Sequence, residues 1–137
     1  MTEPQPFSFP VRVYYEDTDA AGVVYYANYL KFMERARTEW MGSLGFPLAA
    51  FEREHGVAFV VHRCEIDYLA PARLNDALTV TVEVVDRGAS RLVARQSVTR
   101  DDTLLTKARV TLACVDTARW RPARMPLPLV QRLEIPA

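Results

Sequence analysis

The 137-residue chain is poor in several residue types on which common catalytic sites depend. It has two histidines, two cysteines and five glycines, and the glycines are too scattered to form a GxGxxG motif or a phosphate-binding loop. No GxSxG or HExxH sequence occurs. These absences exclude the usual motifs of dinucleotide-binding folds, P-loop enzymes, nucleophile-elbow hydrolases and zinc peptidases.

Excess charge and long apolar runs are also missing. Lysine plus arginine and aspartate plus glutamate both number 17, whereas nucleic-acid binders normally carry a concentrated positive excess. No apolar run approaches the roughly 18 residues of a membrane span, and the N-terminus does not resemble a signal peptide. Cys64 and Cys114 have no closely spaced partner, which favours two reduced thiols over a disulfide. We therefore expect a cytoplasmic protein without a membrane span or a nucleic-acid partner.

One segment of the chain has helical periodicity. Apolar residues recur every three or four positions after Asn28. They are Tyr29, Met33, Ala36, Trp40 and Leu44. Asn28 suits the N-cap of this helix and Gly45 its C-terminal stop. Upstream, residues 10–16 alternate with β-branched and aromatic side chains and predict a first strand.

The rest of the chain has the period of β-strands. Alternating segments joined by short turns predict an antiparallel meander. They cover residues 57–69, 77–85, 91–99 and 104–115. Residues 116–137 contain four prolines and predict an irregular tail. Without a linker or repeat, residues 1–137 form one α+β domain, in which a five-stranded antiparallel sheet curls around the long helix. Long unprotected sheet edges favour a homodimer.

The two histidines do not suggest catalysis. In residues 57–69, alternation puts His62 on one face with Ala58, Val60, Cys64, Ile66 and Tyr68. A core or interface role is therefore favoured for His62. His55 lies in a polar stretch beside Glu54 and is expected at the surface.

The stretch YYEDTDAAGVVYYANY, residues 14–29, holds three carboxylates just before the helix: Glu16, Asp17 and Asp19. One interpretation is structural, since aspartates form turns and suit the approach to a helix N-terminus. A cation site is a second, although no EF-hand pattern follows. In the third, Gly22 allows close backbone approach or a positive φ, the first helix N–H groups form an oxyanion site, and a carboxylate attacks or activates water.

The segment VRVYYEDTDAAGVVYYANYLKFMERARTEWM resembles the opening of the hotdog-fold acyl-CoA thioesterases. It is most similar to the Tol-Pal-associated (YbgC-type) branch of the 4-hydroxybenzoyl-CoA thioesterase family. The resemblance continues through VAFVVHRCEIDYLAPARLNDAL and LLTKARVTLACVD. It implies hydrolysis of an acyl-CoA to a free acid and CoA, with no cofactor and no metal. It also implies a site between subunits of a homodimer, with a tetramer formed as a dimer of dimers.

The resemblance also assigns roles to residues. Asp19 is the catalytic nucleophile or general base, and Asp17 and Asn28 support the site structurally. The thioester carbonyl lies beside Gly22 and the backbone N–H of Tyr26. The remaining positions are substrate contacts: Tyr25 and Tyr26 for the acyl group, and Arg63, Arg91 and Lys107 for the CoA phosphates. YbgC-type members usually have histidine where this chain has Tyr26, whereas the 4-hydroxybenzoyl-CoA enzymes have tyrosine there.

Two other functions fit the same fold. A hotdog hydratase or dehydratase would need a positioned histidine, which the Asp19 segment lacks. A non-catalytic partner protein would bind an acyl carrier protein or an envelope complex. Release of free thiol from acyl-CoAs separates the thioesterase from both.

Overall fold

The computed structural model describes residues 5–135, which form one sheet, one long helix and several short elements. The strands are β1 (Phe7–Arg12), β2 (Val57–Tyr68), β3 (Ala77–Arg87), β4 (Arg91–Arg100) and β5 (Thr103–Asp116). The helices are α1 (Asn28–Ser43), α2 (Leu48–His55) and the single turn α3 (Leu127–Val130), and a 3₁₀ turn spans Tyr15–Asp17.

All neighbouring strands are antiparallel, in the order β1-β3-β4-β5-β2. The meander β3-β4-β5 forms the centre, and β1 and β2 are the two edges. In β3 every second side chain is buried, as its alternation predicts. These are Leu78, Val80, Val82 and Val84. The predicted α+β architecture, a long helix against a five-stranded antiparallel sheet, is confirmed.

Helix α1 supplies the central layer of the core. The side chains of Phe32, Met33 and Ala36 are 0% exposed, and that of Tyr29 is 3% exposed. Their spacing of three to four residues places them on one face of the helix, which packs against β1 and β3. The core is therefore formed between this face and the inner side of the sheet.

The ends of α1 differ slightly from those predicted. Asn28 is the first helical residue rather than the N-cap, and the capping position is taken by Ala27, whose side chain cannot cap. The Asn28 side chain instead donates through Nδ2 to the backbone oxygen of Asp17, at 2.9 Å. The helix ends at Ser43, and Gly45 follows with a φ of +90°.

Strand β2 contains a bulge that the sequence pattern does not reveal. Its register with β5 shifts between Val61 and Arg63, so His62 is the extra residue. The shift moves Phe59 to the same face as Cys64, because these two residues pair with the buried Cys114 and Val110 of β5. The predicted grouping of Ala58, Val60 and Cys64 on one face is therefore wrong. His62 is exposed, which rules out the core alternative.

The first edge strand starts and ends earlier than predicted. It spans Phe7–Arg12 rather than residues 10–16, because the chain turns away from β3 into the 3₁₀ helix Tyr15–Asp17. Pro10 lies within β1, which is acceptable at an edge because proline has no N–H to donate.

Helix α2 was not predicted. Its eight residues are too few for periodicity to establish a helix. Phe51 is its buried residue and contacts the rings of Phe46, His55 and Phe59. His55 is consequently half-buried rather than at the open surface. Gly56 ends the helix in the left-handed conformation, with a φ of +64°.

The segment after β5 is more ordered than an irregular tail. Leu127–Val130 form one helical turn, and Leu129 and Met125 are buried in the core cluster. Two backbone hydrogen bonds fix the approach to this turn, from Ala123 N to Cys114 O at 2.9 Å and from Met125 N to Ala89 O at 2.8 Å. The many prolines prevent longer secondary structure but do not prevent packing.

The burial of α1 gives a stability prediction. Phe32→Ala should lower the free energy of unfolding by about 3–5 kcal/mol, because it removes a fully buried ring and leaves a cavity. Leu30→Ala, on the same helix but at a side chain 43% exposed, should lower it by less than about 1 kcal/mol. Denaturant titration of both variants measures the difference, and equal losses would contradict the assigned core.

Candidate active site

The carboxylate-rich stretch folds into a tight hairpin next to the start of α1. A β-bridge joins Thr18 to Val24, and the Asp19 N–H donates to Val23 O at 2.9 Å. The turn is closed by the Gly22 N–H, which donates to Asp19 O at 3.0 Å. Gly22 has a φ of +82°, and no atom lies within 4 Å of where its Cβ would be. Glycine is therefore required here for its backbone conformation and not for a close approach.

The two aspartates of this stretch have different environments. Asp17 is 8% exposed, and its carboxylate accepts a hydrogen bond from the Tyr14 N–H at 2.8 Å. Its backbone oxygen accepts two more, from Tyr25 N at 3.0 Å and from the Asn28 amide. Asp19 is exposed, and one of its carboxylate oxygens accepts only from the Ala21 N–H, at 2.9 Å. Asp17 thus holds the turn together, whereas Asp19 presents a carboxylate to the outside.

The backbone between the hairpin and α1 presents free donors. The N–H groups of Tyr25 and Asn28 donate to Asp17 O and Tyr25 O. By contrast, within residues 5–135 the N–H groups of Tyr26 and Ala27 donate to no protein acceptor. They lie at the positive end of the helix dipole, where a negatively charged oxygen is stabilised.

The loop after β2 is joined to this segment by hydrogen bonds. The Val24 N–H donates to Ala72 O at 2.8 Å, and the Ala72 N–H donates to the hydroxyl of Tyr29 at 3.0 Å. Burial raises the pKa of the Tyr29 hydroxyl, which keeps it neutral and available as an acceptor. The sequence predicts only a turn at this loop. No local sequence signal indicates that it touches the hairpin.

The same loop is fixed to the sheet by an ion pair. Arg100 Nη1 lies 2.7 Å from Asp76 Oδ2 and 3.2 Å from Pro71 O. Burial acts to raise the pKa of Asp76, but hydrogen bonds from the Arg73 N–H and from Arg100 outweigh it, so the pKa is lowered. The carboxylate is therefore charged at neutral pH and holds the loop closed.

Tyrosine rings line the open side of the site. The ring of Tyr26 contacts those of Tyr25 and Tyr68, with centroids 5.0 and 6.0 Å apart. The Tyr68 hydroxyl donates to Tyr26 O at 3.1 Å and so fixes the approach to α1. All three rings are exposed by 43–60% in the single chain. Tyr68 is not among the site residues that the sequence predicts.

The three basic residues predicted to hold CoA do not form a cluster. Arg63 pairs with Glu65 at 3.0 Å, and Arg91 pairs with Asp86 at 3.3 Å. Lys107 is exposed. Arg91 lies opposite Ala113 of β5, so it is about 20 Å along the sheet from Lys107.

Within residues 5–135, no group of three or more His, Cys, Asp or Glu side chains is placed to hold a metal ion. No helix in this part of the chain is long and apolar enough to cross a membrane.

Comparison with known proteins assigns the family. Residues 13–133 match the thioesterase-like superfamily. The chain belongs to this superfamily. The acyl-CoA thioesterase YbgC of Haemophilus influenzae is 48% identical over 120 residues, covering 88% of each chain. The acyl-CoA thioester hydrolase YbgC of Escherichia coli O157:H7 is 46% identical over 125 residues, covering 90% of this chain and 92% of that protein.

Solved structures agree with this assignment. A probable thioesterase from Bartonella henselae superposes with a TM-score of 0.83 at 33% identity, covering 89% of this chain and all of that chain. A 1,4-dihydroxy-2-naphthoyl-CoA thioesterase from Synechocystis gives 0.86 at 26% identity, covering 94% and 96%. The predicted hotdog thioesterase family and fold are confirmed by these relatives.

The two aspartates should differ in their effect on stability. Asp17→Ala should lower the free energy of unfolding by about 1–3 kcal/mol, because it leaves the Tyr14 N–H without its acceptor beneath the turn. Asp19→Ala should have a much smaller effect, since water can replace its exposed carboxylate. Thermal unfolding of both variants tests this, and a larger loss for Asp19→Ala would reverse the structural assignment.

Proposed function

We propose that this protein is an acyl-CoA thioesterase in which Asp19 is the nucleophile or general base. The observation that carries the proposal is the pairing of an exposed carboxylate with a free backbone donor in one short segment. The hairpin presents Asp19, and the N–H of Tyr26 points to no acceptor among the described residues. The relatives named acyl-CoA thioesterase YbgC support the substrate class.

In the proposed reaction this segment provides both the donor that stabilises the oxyanion and the carboxylate that attacks or acts as a base. The Tyr26 N–H, at the positive end of α1, stabilises the oxyanion that forms on the thioester carbonyl. Asp19 either attacks this carbonyl, giving a mixed anhydride that water cleaves, or removes a proton from an attacking water. In both routes the C–S bond breaks, CoA leaves as the thiol and the acyl group leaves as the free acid. No histidine lies in this segment, so the carboxylate of Asp19 takes whichever of the two roles the reaction uses.

The proposal assigns the surrounding residues to substrate contact and support. Gly22 shapes the turn beside the carbonyl, and the rings of Tyr25 and Tyr26 line the entry to the acyl group. Asp17 and Asn28 hold the segment, as their mutual hydrogen bond at 2.9 Å supports. Contacts of the CoA phosphates with Arg63, Arg91 or Lys107 stay a prediction.

We further propose a homodimer formed through β2. This edge strand has twelve residues and no proline, and its Val60 and Val61 are 37% and 53% exposed. The opposite edge, β1, is half as long and contains Pro10. A second copy paired along β2 would cover the exposed valines and lie close to the tyrosine rings, which places the site between subunits.

We also propose a larger assembly, an alternative acyl carrier and a cellular compartment. The homodimers associate into a tetramer as a dimer of dimers, and an acyl carrier protein is an alternative carrier of the acyl group. The enzyme acts in the cytoplasm, where the free thiols Cys64 and Cys114 stay reduced.

The catalytic role of Asp19 is tested by Asp19→Asn. This change keeps the size of the side chain and removes its charge, and it should lower kcat by roughly 10² to 10⁴-fold. Glu16→Gln, at an exposed carboxylate in the same stretch, should leave kcat within a few-fold. Release of CoA thiol from acyl-CoAs, followed with a thiol reagent, gives both rates. Near wild-type hydrolysis by Asp19→Asn would remove Asp19 from the mechanism, and no hydrolysis by the wild type would favour a non-catalytic partner protein.

The backbone role of Tyr26 is tested by a pair of variants. Tyr26→Phe keeps the N–H and the ring, so kcat should stay within a few-fold. Tyr26→Pro removes the N–H, which costs about 10²–10³ in rate when it serves as an oxyanion donor. This N–H donates to no other described residue, so proline breaks no internal hydrogen bond there.

Circular dichroism must first show that Tyr26→Pro has the helix content of the wild type. Equal losses for Tyr26→Phe and a folded Tyr26→Pro would make the hydroxyl the reactive group and overturn the backbone role.

A further inference from the structure

A cavity of about 340 Å³ lies between α1, α2 and the edge strand β2. Most of its walls are apolar, and its charged lining residues are Arg37 and Glu34. The apolar side chains that line it include Trp40, Met41, Phe59, Val61, Leu92 and Leu112. We call this cavity the Arg37 pocket. Its volume suits a small ligand or one end of a larger one.

The guanidinium of Arg37 is held by a polar group that is itself completely buried. Arg37 Nη1 donates to Gln96 Oε1 at 2.8 Å, and Gln96 is 0% exposed. The Gln96 amide nitrogen donates to Met33 O at 3.1 Å and to Thr81 O at 3.2 Å. These two bonds fix the orientation of the amide, so its oxygen must face Arg37.

Arg37 forms no ion pair within residues 5–135, although the Glu34 carboxylate, one helical turn earlier, lines the same pocket. Within residues 5–135, no carboxylate oxygen comes within 4.0 Å of its guanidinium. Burial lowers the pKa of Arg37, which shows that the charge is partly desolvated. A guanidinium has five N–H donors, and Gln96 takes one of them. A desolvated cation with unused donors favours an anionic partner with two oxygens.

The inner face of β2 extends from the pocket towards the proposed site. Tyr68 contacts Tyr26 at one end of this face, and Val61 lines the Arg37 pocket at the other. Between them, Cys64 and Ile66 lie on the same face and are half-buried against the core. Along α1, Arg37 is roughly 14 Å from Asn28.

We propose that the Arg37 pocket receives the far end of the acyl chain, and that Arg37 selects acyl groups ending in a carboxylate. The inference rests on the proposed position of the thioester beside Tyr26. An acyl chain that starts there runs along the inner face of β2 against apolar side chains. Its terminal carboxylate then forms a charge-assisted pair with the guanidinium that Gln96 holds in place.

The test compares dicarboxylic acyl-CoAs with unsubstituted ones of equal length. The pairs are adipoyl- and hexanoyl-CoA, suberoyl- and octanoyl-CoA, and sebacoyl- and decanoyl-CoA. At one of these lengths the wild-type enzyme should hydrolyse the dicarboxylic member with a kcat/KM about tenfold higher or more, mainly through a lower KM. Faster hydrolysis of the unsubstituted member of every pair would overturn the proposal without any variant.

Arg37→Met then assigns the preference to the guanidinium. It keeps most of the apolar length of the side chain and removes the charge, so the dicarboxylic preference should disappear while the unsubstituted members change within a few-fold. Lys31→Met removes an exposed charge from the same helix and should keep the preference. Equal losses on both members of each pair in Arg37→Met would make Arg37 structural only. The preference is a ratio of wild-type rates, so it stands independently of the outcome for Asp19→Asn.

Discussion

The burial of one face of α1 against the inner side of the sheet is the constraint on which the rest of the structure depends. Phe32, Met33 and Ala36 have no exposed surface, so the helix can neither rotate nor slide without opening the core. This fixes where α1 begins. The segment that contains Tyr26 and Ala27 is attached directly to that beginning. Their N–H groups, which donate to no acceptor among residues 5–135, therefore keep a constant position relative to the hairpin.

The two aspartates differ in how many hydrogen bonds they accept within the protein. The carboxylate and the backbone oxygen of Asp17 accept from Tyr14, Tyr25 and Asn28, which leaves little capacity for substrate. Asp19 has one local bond and open surface. The backbone donors differ in the same way. The N–H groups of Tyr25 and Asn28 donate to backbone oxygens, whereas those of Tyr26 and Ala27 donate to no acceptor in the described part of the chain. A rigid support and two free groups are the arrangement that electrostatic catalysis requires.

A second polar contact of α1, the hydrogen bond between Arg37 and the buried Gln96, involves β4. Gln96 projects from β4 into the core, where its amide donates to Met33 O of α1 and to Thr81 O of β3. A buried amide is tolerated because its donors and its acceptor are all satisfied. The guanidinium of Arg37, by contrast, is only partly satisfied inside one chain. The free-energy cost of partly desolvating this charge is expected where a ligand or a partner completes the contacts of the guanidinium.

The sequence by itself determined the element order, the single long helix and the antiparallel sheet, because periods of 3.6 and 2 are properties of the local chain. It also located the Asp17–Asp19 segment and the special role of Gly22, since short-range turn chemistry is local too. Tertiary structure alone decided the bulge at His62, the short helix α2 and the position of Asn28 inside α1 rather than at its cap. It also decided that the loop at Ala72 supports Val24, and that Gln96 meets Arg37 across 59 positions of sequence. Such contacts depend on which surfaces the packed helix and sheet bring together. A local sequence pattern does not encode contacts between residues so far apart in the sequence.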